Sequence, residues 1–286
     1  MHPSPCDGIA TWPGHAPIAD RLLFTGDDGR TGWEPWTSDG TPAGTFLVAD
    51  VETGPEGSGP SGYLVTETHG FFDTATPTFE RTLWATDDGV GIAAVLDGLR
   101  FTALAAAGHT LFLEVDDGID GAELWASDGT AAGTGPVRDI CRGGCSSWPS
   151  PIAAVGERLF FTAEETDAGR ELWLSDGTTA GTERLTDLCP GACWAWLQDA
   201  IPFGGRLLLI AADDNDGYGI EPYVSDGTAS GTFLLRDIAS ASLSSDPELL
   251  GVLDNRVLFT ADDLATGREL WRTDGTVAGT TPTCRS

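Results

Sequence analysis

The chain has 286 residues, with 44 acidic side chains against 15 basic ones, a formal net charge of −29, and arginine as its only cation besides histidine. Nucleic acid and anionic membrane surfaces are excluded as partners because both would be repelled, and the lack of lysine excludes Schiff-base chemistry. No apolar run approaches membrane-spanning length, so no membrane insertion is expected.

A fourteen-residue peptide, clearest as GRELWLSDGTTAGT from Gly169 to Thr182, occurs six times along the chain. Its central aromatic falls at Trp36, Trp84, Trp125, Trp173, Tyr223 and Trp271, with spacings of 48, 41, 48, 50 and 48 residues. A period in the forties with strand-like content points to propeller blades. In chain order the blades are bounded at 16–50, 62–97, 100–140, 150–188, 198–238 and 247–284. Each is predicted to hold four strands of about five to seven residues, apolar in alternation or short runs and bounded by Gly, Asp, Asn or Pro.

In the last blade these strands read Glu248–Asp254, Arg256–Ala261 and Glu269–Thr273, the fourth being cut short by the C-terminus; blade five supplies its counterpart at Thr232–Ile238. Blade two is irregular. Thr82 stands where the other copies have Glu, the Thr-x-x-Gly-Thr after Asp87-Asp88-Gly89 is missing, and residues 75–80 widen its hairpin. No linker is visible, so residues 1–286 are expected to form a single domain. The expected fold is all-β, a six-bladed β-propeller of four-stranded antiparallel blades with the ring closed between the N- and C-termini.

The repeat residues have a structural role first, because a fold needs them in every blade whereas one active site needs one copy. Asp176 is expected to bind local amides and Gly177 to take positive φ in the turn after the Trp strand. At this point the chain resembles the bacterial proteins of the ELWxxDGT repeat. The copies at Glu123–Thr134, Glu171–Thr182 and Glu269–Thr280 fit that motif in full, and Glu34-Pro35-Trp36 and Glu221-Pro222-Tyr223 vary it mildly. The resemblance covers the chain end to end and implies a secreted or cell-surface repeat protein. It speaks to fold much more than to activity.

Six cysteines point to an oxidising compartment. Cys141–Cys145 and Cys189–Cys193 occupy the same loop of successive repeats, and Cys6 with Cys284 forms the same loop with the chain cut inside it. Bridges Cys6–Cys284, Cys141–Cys145 and Cys189–Cys193 are therefore expected. Zinc is disfavoured, since the two C-x3-C loops lie a blade apart and one ion needs four ligands. Residues 1–5 lack the apolar centre of a secretory signal, so localisation rests on the cysteines.

Adjacent acids precede a Gly-x-Glu in five blades: Asp27-Asp28, Asp116-Asp117, Glu164-Glu165, Asp213-Asp214 and Asp262-Asp263. Strand alternation puts these loops on the face that carries the cysteine loops. Asp and Gly there make good hairpin turns. The alternative is a divalent cation, with calcium as the candidate cofactor at Asp213, Asp214, Asn215 and Asp216, an oxygen-rich loop that lacks the spacing of the twelve-residue hand motif.

Five of the ten Trp lie outside the repeat position, and Trp12, Trp148, Trp194 and Trp196 follow the cysteine loops. A Trp beside carboxylates suits a carbohydrate, the ring stacking on the sugar while acids accept its hydroxyl protons. The alternative is that each Trp fills the space beneath its disulfide. The histidines at 2, 15, 69 and 109 show no metal-ligand spacing, and no catalytic residue is assigned. The expected function is a secreted or surface-exposed, non-enzymatic binding propeller with a glycan or other surface ligand on its acidic, Trp-bearing face. A carboxylate-dependent polysaccharide hydrolase or lyase and a purely structural repeat module are the alternatives.

Overall fold

The computed structural model describes residues 14–75, 80–189, 191, 195–213, 218–240 and 242–283, and every element among them is a β-strand. The first sheet has the order β1 (His15–Ile18), β2 (Arg21–Asp27), β3 (Trp33–Ser38), β4 (Phe46–Leu47). The next is seven-stranded and meanders through β5 (Ser61–Val65), β6 (Gly70–Ala75), β7 (Arg81–Thr86), β8 (Ala93–Ala107), β9 (Thr110–Asp116), β10 (Ala122–Ser127) and β11 (Thr134–Arg138).

Three four-stranded sheets follow. They are β12 (Ser150–Val155) to β15 (Glu183–Arg184) through β13 (Arg158–Glu165) and β14 (Gly169–Ser175); β16 (Trp196–Phe203) to β19 (Phe233–Leu234) through β17 (Arg206–Asp213) and β18 (Tyr218–Ser225); and β20 (Glu248–Leu253) to β23 (Thr281–Pro282) through β21 (Arg256–Asp262) and β22 (Arg268–Thr273). All ladders are antiparallel between sequence neighbours, as the short turns require.

Two expectations are corrected. The boundary placed between residues 97 and 100 is no break, because β8 runs through it and pairs with β7 by its first half and with β9 by its second. Asp97-Gly98 reads as a turn, yet Gly98 takes its positive φ of 71° inside a continuous strand. The described residues therefore form five sheets rather than six separate ones. The fourth strands β4, β15, β19 and β23 are two residues long, and the last repeat is not cut short of its own. Only two residues pair in each, opposite the repeat aromatic and its successor, as Trp173↔Arg184 with Leu174↔Glu183 and Trp271↔Pro282 with Arg272↔Thr281 do.

Contacts group the chain into two compact units, Met1–Val137 and Arg138–Ser286. In the first unit Ile18 and Leu23 of the first sheet pack on Phe72, while Phe71 and Leu83 on the other face are buried with Leu111 and Leu113. In the second unit Leu207 and Leu209 of β17 pack with Phe160 and Leu172, whereas Leu208 between them packs with Val257 and Phe259. Period-two alternation thus sends successive leucines to opposite neighbours, which is why β17 reads as a continuous apolar run. Each such side chain contributes about 1.5–3 kcal/mol. The repeat aromatics sit at these interfaces: Trp173 and Trp271 are buried, with Arg138 5.5 Å from the first ring and Arg236 5.2 Å from the second. The same arginines donate to Thr182 O at 2.8 Å and Thr280 O at 2.9 Å.

Candidate functional site

The repeat acids are committed to the fold. Glu221, fully buried, accepts from the amides of Ile238 (3.1 Å), Ala239 (3.2 Å) and Ser245 (3.0 Å) and from the Ser245 hydroxyl (2.6 Å). Glu34 repeats the arrangement with the amides of Val51, Glu52 and Ser58 and the Ser58 hydroxyl. Glu171 holds Leu188 and Cys189, with the Thr186 hydroxyl at 2.7 Å. Each carboxylate thus ties down the loop that leaves its own blade after the short fourth strand. Burial pushes the Glu221 carboxyl up despite these donors.

The Ser-Asp-Gly-Thr-x-x-Gly-Thr segment is a self-bonded loop. In the fourth copy Ser175 Oγ lies 2.7 Å from Thr182 Oγ1, and Asp176 Oδ1 accepts from the Thr178 amide (2.9 Å) and hydroxyl (2.7 Å). Gly177 has φ 87°, and a Cβ on Gly181 would meet the Asp176 carboxylate. The acidic hairpin loops behave alike, with Asp28, Asp117 and Asp263 each accepting from amides two and three residues on.

The Thr31 amide holds the Asp28 carboxyl low and the Thr276 hydroxyl does so for Asp274; Asp39, Asp88, Asp117, Asp128, Asp226 and Asp263 are lowered by equivalent bonds. Folded values below unfolded ones mean stabilisation that is full above the ordinary aspartate value and lost as pH falls through the lowered ones. Glu221 has the opposite sign, and the aspartates outnumber it. Melting temperatures recorded from pH 7 to pH 2, in salt that screens the net charge, should therefore decline below pH about 4.

A different set of residues is left for contact with other molecules. In the second unit Cys141 and Cys145 are bonded, and Thr166 Oγ1 of the β13–β14 hairpin lies 3.7 Å from each sulfur. The cysteine loop and the Glu164-Glu165 hairpin therefore share one edge. Trp148 follows with its ring 52% exposed and φ 45°, a left-handed conformation that costs a bulky residue about 1 kcal/mol or more. At two corresponding repeat positions Gly59 has φ 58° and Asp246 φ 43°, whereas Trp196 at a third is not left-handed, so the conformation recurs with different side chains without being required in every repeat.

Arg170 holds the position, donating Nη2 to Trp148 O at 2.8 Å and Nη1 to Thr162 Oγ1 at 2.7 Å, with Nε 3.7 Å from Glu164. Trp196, at the matching place one repeat later, opens β16 and is 62% exposed. Neither ring is buried beneath a disulfide.

Between β12 and β16 lies a cavity of about 290 Å³ lined by Ser150, Thr162, Gln198, Asp199 and apolar neighbours. Gln198 enters it at a register shift between Leu197 and Asp199. The same shift leaves Ile152 in β12, Leu104 in β8 and Leu250 in β20, so one bulge has a polar amide where the others are aliphatic. Sequence reasoning missed Ser150, Thr162, Gln198 and Asp199. The signal was a Gln aligned with Ile and Leu, visible only once the bulge is located.

Of the expected sites, Trp148 and Trp196 occupy matching repeat positions and are both exposed, while Trp12 and Trp194 lie outside the described residues. Asp213 closes β17, and Asp214, Asn215 and Asp216 lie outside the described residues. Cys189 is disulfide-bonded; Cys193, Cys6 and Cys284 lie outside the described residues.

No family model matches the chain, and no curated protein matches it. Among solved structures it is similar to Pyrococcus horikoshii acylaminoacyl peptidase, at 12% identity over 95% of this chain and 45% of that one, with a TM-score of 0.43. A Mycobacterium tuberculosis puromycin-hydrolyzing peptidase gives 14% identity, 95% and 43% coverage and a TM-score of 0.46. An uncharacterized protein of Listeria monocytogenes EGD-e gives 12% identity, 100% and 84% coverage and a TM-score of 0.44. The chain spans less than half the length of the two peptidases. The expectation of a non-enzymatic binding scaffold is corrected to this extent, that it has no support among these matches: both peptidases named here are hydrolases. At these scores the likeness is one of outline and assigns this chain no reaction.

Proposed function

We propose that the chain is the substrate-engaging domain of a carbohydrate-active protein, a propeller of the ELWxxDGT-repeat kind working in an oxidising compartment. Trp148 carries the reading. Its side chain stands half in solvent on left-handed backbone held by Arg170, and such outliers concentrate where ligands are held. With Trp196 and the Gln198 cavity it supplies apolar ring faces beside amide, hydroxyl and carboxylate groups, the combination a pyranose needs. The net charge of −29 favours neutral or amino sugars over uronates. Glu164 is paired with Arg170 and Glu165 with Arg184 at 3.6 Å, while Asp199 stands in the cavity wall and accepts from the Ala200 amide at 2.8 Å.

Neutral oligosaccharides should bind the wild type, and Trp148→Gly should abolish binding without lowering the melting temperature, with release of reducing ends followed in the same samples. Absence of both binding and release across neutral, amino and acidic glycans would remove the proposal.

Six repeats, with the seven-stranded sheet containing two of them, support a six-bladed count with the ring closed by Cys6–Cys284. The bonds at Cys141–Cys145 and Cys189 support a secreted or surface location. Peptide mapping without reduction should recover residues 6 and 284 in one linked species; free thiols at both positions would refute the closure.

A further inference from the structure

The first unit has its own version of the Arg170–Thr162 pair, and there the chemistry has changed. Arg268 donates to Thr260 Oγ1 at 3.0 Å just as Arg170 does to Thr162, but in the irregular second repeat Arg81 meets Asp73. The Asp73 side chain is only 4% exposed and also accepts from Ser61 Oγ at 2.9 Å. Its charge is therefore met by a cation and a hydroxyl within the wall. The Arg81 side chain is 32% exposed, and its guanidinium lies 5.7 Å from the Phe101 ring centroid.

Beside this pair is a cavity of about 420 Å³ walled by Tyr63, Leu64, Thr102, Ala103 and Leu104. That volume lies within the range of small-molecule sites. The Tyr63 hydroxyl is already turned away to Thr25 Oγ1 at 2.9 Å, which leaves its ring as wall, and burial raises its pKa far above the ordinary phenol value.

We propose that this cavity binds a small monocarboxylate with an aliphatic or aromatic tail. Arg81 is the one cation among the described residues that line it, beside Asp73; with Nη2 paired to Asp73 and Nε buried, Nη1 is left to donate to a carboxylate. Leu64, Ala103 and Leu104 accept the tail. The protein's overall negative charge opposes the approach of any anion, so the affinity should increase as salt is added, the reverse of an ordinary ion pair.

Calorimetric titration with hexanoate and benzoate, against hexanol and hexylamine, tests this. The carboxylates should bind, and more tightly in 0.3 M than in roughly 0.03 M salt; the alcohol and amine should not. Arg81→Gln should weaken hexanoate at least tenfold. Leu104→Trp, which fills the cavity and leaves the ion pair intact, should do the same in a protein with an unchanged melting temperature. Trp148→Gly should leave hexanoate binding untouched, which separates this site from the saccharide surface. Equal binding of hexanol and hexanoate, or retained affinity in Leu104→Trp, would overturn the proposal.

Discussion

Glu221→Ala is expected to destabilise the chain by about 3–5 kcal/mol, read as a drop in the midpoint of urea unfolding with little change in slope. The truncation leaves the amides of Ile238, Ala239 and Ser245 buried with no acceptor, and each orphaned donor costs about 1–3 kcal/mol before water enters. Part of this loss is offset because the buried carboxylate is itself costly, as its raised pKa records. Glu221→Gln, which keeps one acceptor oxygen, should lose less than the alanine variant. Glu164→Ala, which removes a partly exposed ion pair, should fall within about 1 kcal/mol of wild type.

Trp173→Ala should cost a similar amount, about 3–5 kcal/mol, for a different reason. The indole is 2% exposed, lies 6.4 Å from the Phe161 ring, and has the Arg138 guanidinium 5.5 Å from its centroid. Its removal opens a cavity and strands the cation that links Arg138 to Thr182. The indole Nε1 has no hydrogen-bond partner. Trp173→Phe therefore loses only volume and should cost no more than about half as much. Thermal melts of both variants distinguish a packing role from a polar one.

The repeat made most of the fold legible before any coordinates. Strands in alternation or short apolar runs were expected in each repeat, and Ser-Asp-Gly-Thr predicted the turn that Asp176 and Gly177 make. What escaped was continuity through Asp97-Gly98, because a glycine of positive φ serves a bulged strand as readily as a turn. The short fourth strands escaped because Glu171 and Glu221, in the neighbouring third strands, accept from the amides of the segment that follows.

For the candidate site, Trp148 and Trp196 were visible as aromatics outside the repeat. Gln198 and Arg170 were not, since a bulge and a guanidinium bridge depend on register, which composition does not encode. Three of the paired hairpin acids, Asp28, Asp117 and Asp263, accept from their own loop amides, as the turn reading has it, whereas Asp214, Asn215 and Asp216 of the calcium reading lie outside the described residues.

The central claim is that repeated residues build the fold and the unrepeated Trp148 serves recognition, so the two are separable at one position. Paired measurement of melting temperature and saccharide-induced stabilisation on Trp148→Gly tests this most directly. Glycine at φ 45° should leave the unliganded melting temperature equal or higher while the ligand-induced increase disappears. A lower melting temperature with the increase intact would contradict the account.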